Sequence, residues 1–195
     1  DSTFLGRTSG VGIMTHEQAE TLGAVGPTGR ASVVRRDVRV DSPYAAYQAF
    51  PARLITDERG DLQARFVVRL NELMDAYRII RDVIDHLPTG ELSVRMPRRI
   101  PAGETVSRVE APRGELVYFV RSGGGEMPER VKARTPSLCN WGSVSSVAVG
   151  HKLADMPMIL AGIDPCFSCN DRRVTIRRPG ETQEWTWEQL RMYGV

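Results

Sequence analysis

The chain holds two thiols three positions apart, in Asp164-Pro165-Cys166-Phe167-Ser168-Cys169. Thiolates at this spacing can converge on one soft metal ion or form a reactive dithiol. The alternative from spacing alone is two buried cysteines without chemistry. A closed zinc site needs four ligands, and Cys139 and His151 do not stand at finger-like spacing. A thioredoxin-like centre would place the pair at the start of a helix within a βαβ unit, and no such pattern precedes it. The pair calls for partners from elsewhere.

The elements that would position these residues read as mixed α+β, predominantly helical. Thr15-His16-Glu17-Gln18 has capping-box spacing and opens a short helix that stops near Gly23. Residues 24–60, rich in Gly, Pro and Arg, read as a long surface segment. The strongest periodicity runs from Asp61 to Leu87. Leu62, Phe66, Leu70, Leu73, Tyr77, Ile80, Ile84 and Leu87 step by three or four, while Arg65, Arg69, Glu72 and Asp75 lie off that stripe. This predicts a bundle helix roughly 40 Å long at ~1.5 Å per residue. Residues 91–113 look irregular, and 115–135 read as a small antiparallel hairpin. Residues 143–162 suggest a small-residue helix interrupted near Pro157. Residues 173–178 suggest a short strand, and Thr186 to Gln189 a capping box that opens a final helix.

Composition excludes several classes. Lys plus Arg is 26 against 24 for Asp plus Glu, a net charge of +2 without the basic excess of a nucleic-acid binder. No run of 18 apolar residues exists, so no direct membrane span is expected. Three cysteines argue for a reduced, cytoplasmic compartment over a disulfide scaffold. The opening at Asp1, without an initiator Met or a signal sequence, reads as a piece cut from a longer protein.

The run Asp164-Pro165-Cys166-Phe167-Ser168-Cys169-Asn170-Asp171-Arg172 resembles the C-terminal cysteine motif of nickel–iron hydrogenase large subunits. Glu110 to Glu115 (EAPRGE) and Thr135 to Trp141 (TPSLCNW) are similar to two further segments of that family. Gly6 to Ile13 (GRTSGVGI), Gly23 to Pro27 (GAVGP), Arg30 to Ser32 (RAS) and Asp41 to Tyr47 (DSPYAAY) resemble the membrane-bound, energy-converting branch. They equally resemble its relative, the 49-kDa subunit of respiratory complex I. The resemblance is collinear over essentially the whole chain. The complex I subunit lacks the metal-binding cysteines, and this chain has them, which favours the hydrogenase.

The resemblance implies roles residue by residue. Cys166 would bind nickel alone and Cys169 would bridge nickel and iron. Arg113 matches the arginine beside the open coordination site, Asp164 the aspartate that orients it, and Pro112, Pro136 and Ser137 the positions lining the diatomic ligands. The cofactor implied is a Ni–Fe centre with CN and CO ligands. The family's other CxxC is not within this sequence, so the fragment would lack the intact centre and be inactive by itself. Arg172 stands where many relatives have His. Residues 173–195 resemble an extension removed by a maturation endopeptidase after that position, leaving 1–172 as the C-terminal portion of a large-subunit fold. The implied activity is reversible conversion of H2 to protons and electrons. The implied partners are an iron–sulfur small subunit and membrane subunits, through which the protein would sit on the inner face of the cell membrane. The competing readings are an NADH-quinone oxidoreductase 49-kDa-like subunit without a working Ni–Fe site, and a non-catalytic assembly module with a structural CxxC.

Overall fold

The computed structural model describes residues 2–170, 174–178 and 180–192. It divides into two compact units, one up to Pro165 and one from Cys166 onward. The first contains helices α1 (Ser2–Thr8), α2 (His16–Thr21), α3 (Gly26–Arg30), α4 (Val38–Asp41) and α5 (Leu62–Asp85). Strands β1 (Gly103–Ala111), β2 (Gly114–Ser122) and β3 (Pro128–Arg134) follow, then α6 (Pro136–Ala148) and α7 (Met156–Ile163). The second contains α8 (Phe167–Asn170), β4 (Val174–Arg178), β5 (Glu181–Trp185) and α9 (Trp187–Met192).

Local chemistry sets the starts of these helices. Thr15 accepts from the Gln18 N–H and the Gln18 side chain accepts from the Thr15 N–H, so both halves of the capping box form. Asp61 caps α5 by accepting from the Ala64 N–H at 2.7 Å, and it also accepts from the Gly10 N–H at 2.9 Å. One carboxylate thus starts the longest helix and ties the opening segment to it.

The α5 helix has the expected extent, but a different face is buried. Leu62, Ala64, Arg65, Val68 and Asp75 are its buried residues. Further along, Leu70, Tyr77 and Ile84 are 60%, 57% and 61% exposed, and Leu73, Ile80 and Leu87 are exposed with them. The buried face is a small-residue face. Ala64 and Val68 pack with Ala31, and Gly162 of α7 lies directly against Leu62. The large apolar row is therefore exposed and available to a partner. We expect the 195-residue chain to self-associate through it; a monodisperse monomer in light scattering would refute this.

Three other expectations are corrected. Residues 24–60 are not a surface segment throughout, because Pro27, Thr28, Arg30, Ala31, Ser32, Val34, Asp37 and Val38 are buried. Pro27, Thr28, Arg30, Ser32 and Asp37 are individually surface-like types, but the glycines admit close backbone approach and the charges are paired internally. Residues 103–111, expected to be irregular, form β1, which makes the hairpin a three-stranded antiparallel sheet in the order β1-β2-β3. Its register places Val106 opposite Phe119, Val109 opposite Leu116, and Val120 opposite Val131. The first six residues of β1 are exposed and largely polar, so hydrophobic alternation does not mark it. The helical stretch after residue 143 breaks at 149–155, whereas Pro157 lies in the first turn of α7, where a missing N–H costs nothing.

In the second unit β4 and β5 pair antiparallel, from Val174 opposite Trp185 to Arg178 opposite Glu181. Thr186 and Gln189 exchange the expected capping hydrogen bonds at 2.8 and 3.3 Å ahead of α9. Among the described residues no helix is long and apolar enough to cross a membrane.

Candidate functional site

Arg113 sits in the tight turn between β1 and β2, where Ala111 faces Gly114 across the ladder. Its backbone is held from beneath. Asn140 of α6, fully buried, accepts from the Val25 N–H at 2.9 Å and donates to the carbonyls of Val25 and Arg113 at 3.2 and 3.3 Å. Gly26 (φ +64°) and Gly114 (φ +128°) meet backbone to backbone at the same place, with no room for a Cβ on either. The turn is thereby fixed against the start of α3 by main chain and one buried amide.

The Arg113 guanidinium reaches the C-terminus of α7. Its Nε donates to the Asp164 carbonyl at 2.6 Å and its Nη2 to Asp164 Oδ1 at 3.1 Å. Asp164 ends α7 in the left-handed region (φ 52°, ψ 63°), a conformation aspartate tolerates, and Pro165 then prevents continuation of the helix. The sequence-expected pair therefore exists, and the carboxylate fixes the direction of a permanently charged donor. Of the expected lining residues, Pro112 is exposed on the Arg113 turn, while Pro136 and Ser137 are buried in the first turn of α6.

A buried ion cluster anchors β1 just before this turn. Arg30, 1% exposed, donates from Nε to Glu72 at 2.7 Å and from Nη1 to Glu110 at 2.8 Å, and lies 3.5 Å from Asp37. Glu110 also accepts from the Val38 N–H at 3.1 Å. Arg39 closes the far side with a bidentate pair to Asp37 at 2.9 and 2.6 Å. Burial favours the neutral forms, but the three carboxylates outweigh it and hold the Arg30 guanidinium above its ordinary value. Burial likewise opposes ionisation of Asp37, yet Arg39 and Arg30 bring its carboxyl below the usual range. Burial dominates at Glu110, whose carboxyl is raised.

Because Asp37 is lowered on folding, the stability it contributes is present above the unfolded-chain value near about 4 and is lost as pH falls through the folded value. The stability gap between wild type and Asp37→Asn should therefore be widest near neutrality and narrow below about pH 4. Urea unfolding across pH measures this, and a gap constant to the acid limb would contradict it.

In the second unit, Cys166 and Cys169 are both half-buried and in no disulfide. They share one helical turn: the Cys169 N–H donates to the Cys166 carbonyl at 3.2 Å, and Asn170 Nδ2 donates to the same carbonyl at 2.7 Å. Cys166 Sγ lies 3.1 Å from Ser168 Oγ. Cys139 is half-buried. His151 is engaged elsewhere, its Nε2 accepting from the Gly12 N–H at 3.0 Å, a geometry that needs the neutral ring. Among the described residues no group of three or more His, Cys, Asp or Glu converges as a metal site. The two thiols thus suit a soft metal centre in type but supply half of a four-thiolate donor set. Arg172 lies outside the described residues.

Asn140, Glu72 and the Arg30 cluster escape sequence reasoning. Asn140 stands inside the quoted TPSLCNW segment, but its task depends on Val25, distant in the chain. Glu72 is visible only as a charge off an apolar stripe.

Residues 1–100 and 93–172 match the family model described as the 49-kDa subunit of respiratory-chain NADH dehydrogenase. The chain belongs to this family. Among curated relatives of the 49-kDa family, the carbon monoxide-induced hydrogenase of Rhodospirillum rubrum is 36% identical over 87% of this chain and 47% of its own length. An NADH-quinone oxidoreductase subunit of Dehalococcoides mccartyi is 39% identical, covering 85% of this chain and 46% of its own. An F420H2 dehydrogenase subunit of Methanosarcina mazei is 37% identical, covering 88% and 48%. A chain in the structure of the membrane-bound sulfane sulfur reductase, an archaeal respiratory membrane complex, superposes with a TM-score of 0.83 at 34% identity, covering 88% of this chain and 48% of that one. The chain spans about half the length of these relatives. The helices and small antiparallel sheet described above are thus part of a 49-kDa-type fold, in a family whose named relatives are redox enzymes and their subunits.

Proposed function

We propose that this chain is the C-terminal part of the catalytic large subunit of a nickel–iron hydrogenase, acting within a membrane-associated redox complex. The observation that carries the reading is the Cys166/Cys169 pair on one helical turn, in a family whose quinone-side member, by the resemblance, has no such thiols. The hydrogenase among the named relatives supports it. When bound, the Ni–Fe centre supplies the redox chemistry of H2.

The residues here do the holding and orienting. Cys166 and Cys169 would supply the two thiolate ligands on this side, Cys166 to nickel and Cys169 to both metals. Arg113 presents a fixed, planar positive charge whose direction is set by Asp164. Pro112, Pro136 and Ser137 line the diatomic ligands. The remaining two thiolates lie outside these 195 residues, so the chain alone is inactive. An iron–sulfur partner subunit would receive the electrons, and membrane subunits would hold the protein at the cytoplasmic face. Residues 173–195 are the extension that an endopeptidase removes after Arg172; retention of Val195 in the mass of the mature, active subunit would refute that cleavage.

The test is the nickel and iron content of the full-length subunit purified in its complex, with H2-dependent dye reduction assayed alongside. About one nickel per chain is expected, lost together with activity in Cys166→Ser and in Cys169→Ser. A folded complex with no nickel and no H2-dependent activity would overturn the reading. It would favour the quinone-side function that the 39% identity to an NADH-quinone oxidoreductase subunit also supports.

A further inference from the structure

Between α5 and β1 the chain passes through residues 88–99, which contain no helix, strand or turn, and residues 93–97 run without a bend. Among the described residues, none of 88–99 makes a hydrogen bond or an ion pair. The far end is nevertheless held. The Ile100 N–H donates to the Gly125 carbonyl at 3.2 Å, and Ser122 Oγ donates to the Ile100 carbonyl at 3.1 Å. Pro97 and Pro101 bias Met96 and Ile100 toward extended backbone. The segment is an arm fixed at both ends, by α5 and by the sheet.

Its side chains are not those of a linker. Leu92, Val94 and Met96 alternate with Ser93 and Arg95, the period-two pattern of a strand with one apolar face. Leu92 is fully exposed, Val94 is 77% exposed and Met96 67%. A segment that only bridges α5 and β1 has no use for an apolar row, and its backbone donors and acceptors have no ladder. Pattern and surroundings agree once a second strand lies alongside.

Charge restricts what that strand carries. Residues 88–99 hold three arginines, Arg95, Arg98 and Arg99, against the single acid Glu91. A second copy of this chain does not match them. Its edge strand β3 sets Val131 and Ala133 on one face and Arg130, Lys132 and Arg134 on the other. Laying the apolar residues together brings Arg95 against those like charges. The outer part of β1 has no apolar row, since Val106 shares its face with Glu104 and Arg108.

We propose that residues 92–96 are a docking arm that adds as a strand to the sheet edge of another chain in the complex. That edge sets apolar side chains against Leu92, Val94 and Met96, and an acidic side chain against Arg95. The inference rests on the chain acting within a complex, as proposed above, and holds whether or not the protein carries a metal.

The test is amide hydrogen exchange, resolved to single residues, on the full-length subunit in its complex as wild type, Arg95→Lys and Arg95→Glu. Neither substitution removes a hydrogen bond or ion pair of the described fold, and unchanged exchange in α5 and β2 verifies that the variants fold. In the wild type, alternate amides over 93–96 should exchange about a hundredfold more slowly than those between them, as in a ladder on one side. Arg95→Glu should weaken the complex about tenfold on dilution, and Arg95→Lys should not. Rapid exchange at all four amides in an intact complex overturns the arm and leaves the complex standing. Protection of consecutive amides, or protection that depends on self-association, also overturns it. Equal dilution behaviour of the three proteins overturns the acidic partner. A folded subunit that purifies alone removes the complex and the arm together.

Discussion

Arg30→Met should destabilise the protein by about 4 kcal/mol, because truncating one partner of a buried charge cluster strands the others. Among the described residues, Arg30 is the only arginine that touches Glu72 and Glu110 at hydrogen-bonding distance, and it also neutralises Asp37. Methionine matches its volume but leaves two buried carboxylates without a cation and the Arg36 carbonyl without its donor. For a chain of this size the loss corresponds to a fall in melting temperature of about 10 °C. The change reaches further than stability, since Glu110 lies one residue before the end of the strand that leads into the Arg113 turn. A second variant separates stranded charge from lost packing. Adding Glu110→Gln to Arg30→Met should recover part of the loss, because one uncompensated charge disappears. If the double variant melts as low as the sum of the single variants, stranded charge is not the cause.

Gly26→Ala should cost on the order of 3 kcal/mol and displace Arg113. A Cβ at this position meets the Arg113 carbonyl group and the Gly114 Cα, both main chain, so neither can swing aside. The left-handed backbone conformation adds its own penalty of roughly 1–2 kcal/mol. Gly23 provides the control, with the same φ of +64° and open space around it. Gly23→Ala should therefore show the conformational penalty alone. In the full-length complex, Gly26→Ala should lower turnover well beyond Gly23→Ala, since it pushes the Arg113 turn away from α3 and disturbs the alignment with Asp164. Equal effects of the two alanines on melting and turnover would show that the backbone approach does not position Arg113.

Which features are readable in the sequence follows from the range of the interactions. Capping boxes at Thr15 and Thr186 and the span of α5 depend on residues three or four apart, so local spacing suffices. Arg113, Asp164 and the two thiols stand out through resemblance, and the structure brings Arg113 and Asp164 together. The buried face of α5 is not legible, because periodicity locates an apolar stripe without saying what covers it. Val68 and Ala64 bury themselves here, and Leu70, Tyr77 and Ile84 do not. Strand β1 is hidden because its partner, not its own pattern, makes it a strand. Arg30 and Arg65 are hidden for a different reason. An arginine reads as a surface residue until the carboxylates or carbonyls that receive it, up to 80 positions away, are known.

The three-stranded sheet and the Arg30 cluster respond to ionic strength in opposite ways. On the sheet, Arg121 pairs with Glu104 opposite it, and Arg108 and Arg134 converge on Glu115 near the solvent. At molar salt the screening length is about 3 Å, so these pairs lose what little they contribute, while ions have no route to Arg30. Added salt should consequently fray the two outer strands, β3 and the exposed start of β1, as faster amide hydrogen exchange there, and leave exchange at the Arg113 turn unchanged. A protein of this construction keeps the geometry around Arg113 constant across surroundings of very different salinity.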